Sequence, residues 1–128
     1  MKRIIAVLAL LTLSACNSID VSTVVPSFWD DNQSRSIINT YQLAVNVDCK
    51  EPQAAQAQAI VRELQWFQLY SESKGMLQKD VLKLIEPMQT TSKEWADREA
   101  PSEGYCKIKK NIMITQAKTA SSAVLGRF

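Results

Sequence analysis

The chain has 128 residues and no histidine, which excludes Ser-His-Asp and Cys-His catalytic arrangements and the usual histidine-bearing zinc sites. Of its 15 basic residues, Lys2 and Arg3 account for the whole net charge of +2, because the other basic residues equal the 13 acidic ones in number. A balanced charge beyond the first residues gives no electrostatic reason to expect a nucleic-acid partner. Only three glycines, with many Ala, Gln, Leu, Lys and Glu, predict a helical protein.

The first 15 residues have the layout of an export signal. Two basic residues precede an apolar run, and small residues close the segment before Cys16. The run 4–15 is shorter than the about 20 residues that a membrane-spanning helix needs, which disfavours a transmembrane anchor. Its end, Leu13-Ser14-Ala15-Cys16, resembles the lipobox of bacterial lipoproteins. That resemblance implies that Cys16 is lipidated on sulfur and becomes the acylated N-terminus, with an ordinary cleaved signal as the alternative.

The resemblance also implies three segments and an address. We expect a signal peptide at 1–15, a lipidated N-terminus and tether at 16–26, and a helical domain at 27–128. The residue after the cysteine is Asn17 and not aspartate. In enterobacterial lipoproteins this implies export to the outer membrane, so the expected location is its periplasmic face, held by lipid. Ten tether residues reach at most about 35 Å.

A first helix of about five turns is predicted from an N-cap at Ser27, with Asp30 and Asp31 in its first turn. It must end near Cys49, because Pro52 tolerates only a helix start. Its predicted apolar face comprises Ile37, Ile38, Tyr41, Ala44, Val45 and Cys49, and its predicted polar face comprises Gln33, Arg35, Asn39 and Asn46.

Three further helices follow. The second starts after Pro52 and stops at Gly75; the last starts around Ser102 and ends at Gly126. In the third, Pro87 predicts either a kink or a break into two pieces. The predicted buried residues are Ala57, Ile60, Val61, Leu64 and Phe67 in the second helix, Leu77, Val81, Leu84, Met88 and Trp95 in the third, and Cys106, Met113, Ala117, Ala120 and Val124, with Ile112 beside them, in the last.

Together these patterns predict an all-α fold, a small antiparallel bundle of about four helices. Cys49 and Cys106 form an even pair in an exported chain, which predicts one intramolecular disulfide. Two free thiols, or pairing between chains, are the alternatives. In an up-down-up-down bundle, the end of the first helix and the start of the last lie at the same end, so the pairing is consistent with the fold.

The catalytic options are few. No glycine-rich phosphate loop or Cys-x-x-Cys motif is present, and we expect no cofactor, no metal and no small-molecule substrate. Two carboxylate groups, Asp30-Asp31 and Glu94-Asp97-Glu99, are the remaining candidates. Helix capping explains the first and a solvated charged face explains the second, so we expect a non-enzymatic protein.

Recognition residues are therefore sought among aromatic and basic side chains. Trp66 and Phe67 are adjacent on a helix and cannot share one narrow seam, so Trp66 either widens the core face or is exposed as a contact. Phe28 and Trp29 at the tether junction either staple the first helix or touch the membrane interface. Lys107, Lys109 and Lys110 form a basic cluster, and Lys109 is the candidate partner contact among them. The candidate partner contacts are Phe28, Trp29, Trp66 and Lys109.

The expected function is that of a lipid-anchored envelope protein that binds or bridges envelope components through an envelope protein partner. In its lipobox and small size the chain is similar to the outer subunits of phage spanin pairs, which implies a role in host lysis. Many such subunits are proline-rich and poorly folded, whereas this chain has four prolines. A superinfection-exclusion or inhibitor lipoprotein is the alternative, and a carboxylate-dependent periplasmic hydrolase is the third hypothesis.

Overall fold

The computed structural model describes residues 30–74 and 78–125, which form four α-helices and no strand. The helices are α1 (Asp31–Asn46), α2 (Gln53–Ser73), α3 (Lys79–Ala96) and α4 (Glu103–Leu125). The predicted all-α fold with four helices is confirmed. The predictions that fall on residues 1–29, 75–77 and 126–128 lie outside the described residues.

The four helices pack in a ring, in which each helix contacts its chain neighbours and α1 also contacts α4. Consequently α2 and α4 lie on a diagonal of the bundle. We call the end that holds the start of α1, the end of α2 and the start of α3 the tether end. The opposite end, the disulfide end, holds Cys49 and Cys106, which are disulfide-bonded with their Cα atoms 5.6 Å apart. The predicted intramolecular bridge is confirmed.

The core is mainly apolar, with Thr40 buried in the middle of α1 and a buried glutamine at each end of the bundle. Phe67 and Trp95 are its largest members, and both are fully buried. At the disulfide end, the buried side chain of Gln53 accepts a hydrogen bond from the Trp95 indole N–H (3.2 Å) and donates to the Pro101 carbonyl (3.1 Å). A second buried glutamine, Gln33, occupies the tether end. Both buried glutamines therefore have hydrogen-bond partners, as buried amides require.

The buried face of α1 differs from the predicted one. Ile38 and Val45, expected in the core, are exposed, whereas Gln33, expected on the polar face, is 0% exposed. The buried residues of α1 are Gln33, Ser36, Ile37, Thr40 and Ala44. The prediction from the apolar pattern is wrong because the buried side of α1 includes three polar residues, Gln33, Ser36 and Thr40. Gln33 and Ser36 can be buried there because they form hydrogen bonds with side chains of α2.

The start of α1 also differs. Its N-cap is Asp30, not Ser27, and the helix ends at Asn46. Asp30 accepts hydrogen bonds from the backbone N–H groups of Asn32 (3.0 Å) and Gln33 (3.1 Å), and the Gln33 side chain accepts from the Asp30 N–H (3.2 Å). This reciprocal pair is a capping box, which satisfies N–H groups that the first turn leaves without helical partners.

The other helices follow the predictions with smaller changes. α3 runs as one continuous helix through Pro87, so the break, one of the two predicted outcomes, does not occur, and the kink stays a prediction. The predicted start of α4 is confirmed, since the Ser102 hydroxyl accepts from the Tyr105 N–H (3.1 Å). Val61 and Leu84 are only partly buried, and Ile112 is exposed.

Candidate functional site

The tether end of the bundle is closed by an ion pair and a tyrosine. Lys74 Nζ lies 2.8 Å from Asp30 Oδ2, and the Tyr70 hydroxyl donates to the same oxygen at 2.9 Å. Asn32 Nδ2 in turn donates to the Tyr70 hydroxyl at 3.0 Å. Burial alone would raise the pKa of Asp30, but the hydrogen bonds from Lys74, the Gln33 backbone and Tyr70 outweigh it and lower that pKa. The carboxylate is therefore a structural anion that fixes α1 to the end of α2.

Beneath this pair, Gln33 joins three elements inside the core. Its side-chain amide donates to Ser71 Oγ and to Gln78 Oε1, both at 2.8 Å, and its carbonyl accepts from Lys74 Nζ at 3.1 Å. Gln33, Ser71 and Gln78 are all buried. The network consequently holds the start of α1, the end of α2 and the residue before α3 in one arrangement.

One aromatic residue stands outside the core on α2. Trp66 is 47% exposed and stacks on Tyr70, with ring centroids 5.0 Å apart and planes inclined by 7°. Phe67 next to it is fully buried, and Leu69 is 66% exposed. Of the two predicted outcomes for Trp66, exposure is therefore the one that occurs. Because Tyr70 is itself hydrogen-bonded to Asp30, the indole is held on a fixed support.

A second exposed apolar surface lies along α4. Tyr105, Ile108, Lys109, Ile112 and Gln116 repeat at intervals of three and four, so they share one side of the helix, next to α3. Ile108 is 61% exposed, and Ile112 is exposed as well.

This surface continues into a shallow groove of about 270 Å³ between α3 and α4. The groove is lined almost wholly by apolar atoms of Lys83, Leu84, Pro87, Thr115, Gln116, Thr119 and Ala120. The Thr115 and Thr119 hydroxyls donate to backbone carbonyls of their own helix, at 2.9 and 3.0 Å. Because these hydroxyl hydrogens are already used within the helix, the two side chains present mainly their methyl groups to the groove. We define the α3–α4 face as Leu84, Pro87, Tyr105, Ile108, Ile112 and Gln116.

Two of the residues that line the groove, Gln116 and Lys83, carry acceptors without an ordinary helical or side-chain partner. Gln116 Oε1 is buried and has no partner among the described residues. Pro87 has no N–H group, so the helix cannot satisfy the Lys83 carbonyl one turn earlier. The almost wholly apolar lining suits an apolar side chain of a partner.

Lys109 is mostly buried, whereas the sequence predicts an exposed side chain there, and its role as a partner contact stays a prediction. Its side chain is 14% exposed, its ammonium lies 2.7 Å from Glu94 Oε2, and it sits 5.6 Å from the centre of the Tyr105 ring. The hydrogen bond that Lys109 donates to Glu94 raises the pKa of Lys109, with burial acting in the opposite direction. Arg98 lies over the same ring at 5.2 Å. Lys109 therefore positions Tyr105 from within the surface.

The predicted basic cluster is not one surface. Lys107 pairs with Glu103 at 2.7 Å, and Lys110 donates to the Val47 carbonyl at 2.8 Å, on the side of α4 that faces α1. Lys109 instead faces α3. Neighbouring residues on a helix point about 100° apart, which is why residues that cluster in sequence separate in space.

The carboxylates contribute structure. Asp30 caps α1 and binds Lys74, while Asp31 is exposed in the first turn. Glu94 binds Lys109, and Asp97 and Glu99 are exposed. Within 30–74 and 78–125, no group of three or more carboxylate or cysteine side chains is placed to hold a metal ion, and no helix is long and apolar enough to cross a membrane.

The predicted site residues are therefore not gathered in one place. Trp66 lies on α2 and Lys109 on α4, on diagonal helices of the ring, and Phe28 and Trp29 fall outside the described residues, as does Cys16. Ile108 is a surface residue that the sequence predictions did not include. The signal was available, since Tyr105, Ile108 and Ile112 keep helical spacing off the core stripe. Comparison with protein-family models, curated proteins and solved structures finds no match to the chain.

Proposed function

We propose that this chain is a non-enzymatic lipoprotein, anchored by Cys16 to the periplasmic face of the outer membrane, whose helical bundle binds a protein of the cell envelope. The observation that carries the proposal is the α3–α4 face, where Ile108 and Ile112 extend an apolar groove on a disulfide-bonded scaffold. Exposed apolar surface beside a groove is typical of a protein-binding site.

The composition of the face supports recognition of a protein. Tyr105 is a large amphipathic side chain in cation–π contact with both Arg98 and Lys109. Tyrosine and arginine are enriched among the residues that dominate binding energy. A side chain that is already fixed loses little entropy on binding, which strengthens association.

Two biological roles fit such a protein, and the fold favours one of them. A spanin-like role in phage lysis is the first. The second, a superinfection-exclusion or inhibitor lipoprotein, needs a preformed binding surface, and the compact bundle closed by Cys49–Cys106 supplies one. We therefore place the second role ahead of spanin-like bridging.

The anchor is tested by replacing the lipidated cysteine. Cys16→Ala should remove the chain from the outer-membrane fraction, because no lipid can then be attached at the lipobox. The measurement is envelope fractionation with intact-mass spectrometry of the product, and Gln42→Leu, at an exposed position of α1, serves as the control that keeps both the lipobox and the disulfide. Wild-type recovery of the Cys16→Ala chain in the outer membrane would contradict the proposed anchor.

Partner binding is tested by photo-crosslinking from the α3–α4 face. A photoreactive phenylalanine at Ile108 should yield one discrete adduct in intact envelopes, and Ile112→Asp in the same chain should reduce its yield at least about tenfold, since a buried unpaired charge costs more than about 1.4 kcal/mol. Val45→Asp, an exposed apolar residue of α1, is the matched control and should leave the adduct unchanged.

The same assay separates recognition from catalysis. Asp31→Asn, Asp97→Asn and Glu99→Gln should leave adduct and biological activity intact, because these carboxylates are exposed and outside the face. An amide variant that abolished activity while keeping the adduct and the fold would overturn the proposal and favour the hydrolase.

A further inference from the structure

The outer side of α2 is left uncovered by the rest of the bundle. Ala55, Ala59, Arg62, Trp66 and Leu69 repeat at intervals of three and four and form what we call the outer face of α2. Four of the five are exposed and Ala59 is partly buried. The face carries no carboxylate, and Arg62 is its single charge. Gln58 and Gln65, which are exposed beside it, are neutral, so this side of the helix carries a positive charge and no carboxylate.

The acidic residues nearest in sequence are directed to the flanks of this face. Glu63 accepts a hydrogen bond from the Ser36 hydroxyl of α1 at 2.6 Å. Glu72 accepts from Gln68 at 2.8 Å, and Gln68 also accepts from Gln89 of α3 at 2.7 Å. Both carboxylates are thus hydrogen-bonded at the edges of α2 and neither belongs to the outer face itself, although Glu63 lines a surface pocket together with Trp66.

The outer face is linked directly to the point where the tether joins the bundle. Trp66 stacks on Tyr70, and the Tyr70 hydroxyl donates to Asp30 at 2.9 Å. Asp30 is separated from Cys16 by residues 17–29, which reach at most about 50 Å when fully extended. A lipid at Cys16 would therefore hold this face close to the bilayer. The effective concentration of the bilayer surface near the face would then be high.

We infer that the outer face of α2 lies on the surface of the phospholipid bilayer that holds the Cys16 lipid. This inference rests on the proposed anchor. Trp66 and Leu69 sit at the level of the headgroups, where amphipathic aromatic side chains settle, and Arg62 meets lipid phosphates. Contact of a rigid aromatic with the bilayer supplements the lipid and fixes the orientation of the bundle.

A second copy of the chain is less suited to this face. Antiparallel pairing of two such faces about a two-fold axis would place Arg62 of one copy opposite Arg62 of the other, since this residue lies midway between Ala55 and Leu69. Two like charges facing each other in an apolar contact are unfavourable. Anionic lipid phosphates complement the same arginine instead.

The orientation has a consequence for the α3–α4 face. Because α4 lies diagonally opposite α2, a bundle that rests on α2 turns α4 away from the bilayer. Ile108 and Ile112 then point into the periplasm, where a protein partner reaches them. The outer face of α2 would then contact the lipid, and the α3–α4 face would contact the protein partner.

The test is tryptophan quenching in the lipidated full-length protein, reconstituted into vesicles of phosphatidylethanolamine and phosphatidylglycerol. Wild-type emission should be quenched by lipids brominated on their acyl chains, and Trp66→Phe should remove a distinct part of the bromine-sensitive emission. Leu69→Glu should restore access of aqueous iodide to Trp66. Ile38→Glu, at an exposed apolar residue of α1, is the matched control. It should change neither the quenching by brominated lipid nor the quenching by iodide.

The possible results distinguish failure of the lipid anchor from failure of the membrane contact. Failure of wild-type protein to float with the vesicles would overturn the anchor and this inference with it. Flotation with Trp66 open to iodide and insensitive to brominated lipid would leave the anchor standing and overturn the membrane contact. Protection of Trp66 from both quenchers, with crosslinked dimers, would overturn it in favour of a second copy.

Discussion

Cys49→Ala is expected to lower the free energy of unfolding of the oxidised protein by about 4 kcal/mol. The disulfide closes a loop across a sequence separation of 57 residues, and a crosslink of that length removes about this much conformational freedom from the unfolded chain. For a domain of this size such a loss lowers Tm by roughly 15 °C or more. Cys106→Ala should have a similar effect, measured by urea unfolding.

The double variant distinguishes the crosslink from local packing. Because both substitutions delete the same bond, Cys49→Ala combined with Cys106→Ala should cost little more than either alone. Reduction of the wild-type protein should reproduce most of the loss and is the natural control. Additive effects of the two single variants, or reactive thiols at both positions in the exported protein, would contradict the bridge.

Gln33→Leu is expected to cost about 3 kcal/mol. The substitution keeps the volume but leaves buried Gln78 and Ser71 without the amide that they share, and it removes one acceptor of Lys74. A buried polar group deprived of its partner costs about 1–3 kcal/mol, and here more than one is affected. Urea unfolding of the variant measures the loss.

A substitution on the same helix serves as the matched control. Gln42→Leu changes the same side chain at an exposed position of α1 and should alter stability by no more than about 0.5 kcal/mol. The sequence pattern alone places Gln33 on the polar face and predicts a similarly small effect for both. Equal stability of the two variants would show that the tether-end network contributes nothing.

The polar network also explains why α1 resisted prediction. Periodicity assigns apolar residues to the core, and α1 offers two competing apolar sides, one with Ile37 and Ala44 and the other with Ile38 and Val45. The first is buried because it brings Gln33 and Ser36 to partners on α2 and in the α2–α3 connection. Those partners lie 27 or more residues away in sequence, and local pattern holds no information about them.

The surface residues divide in the same way. Exposure of Trp66 follows once Phe67 takes the core position, because adjacent residues of a helix cannot share a narrow seam. Its support on Tyr70 and Asp30 depends on how α1 meets α2. The sequence predicts that Lys109 is an exposed cation, whereas in the folded chain α3 places Glu94 beside its ammonium group.

What the sequence by itself determined is local or covalent: the number of helices, the start of α4 at Ser102, the pairing of two cysteines, and the lipobox that underlies the proposed anchor. The helices, the start of α4 and the lipobox depend on residue type and short spacing, which act within a turn or two of helix, whereas the pairing follows from an even number of cysteines in an exported chain. What only the tertiary structure decided is which side of α1 is buried, which charges are already paired, and which apolar residues remain uncovered. These depend on the contacts that one helix makes with another, and no single helix contains them.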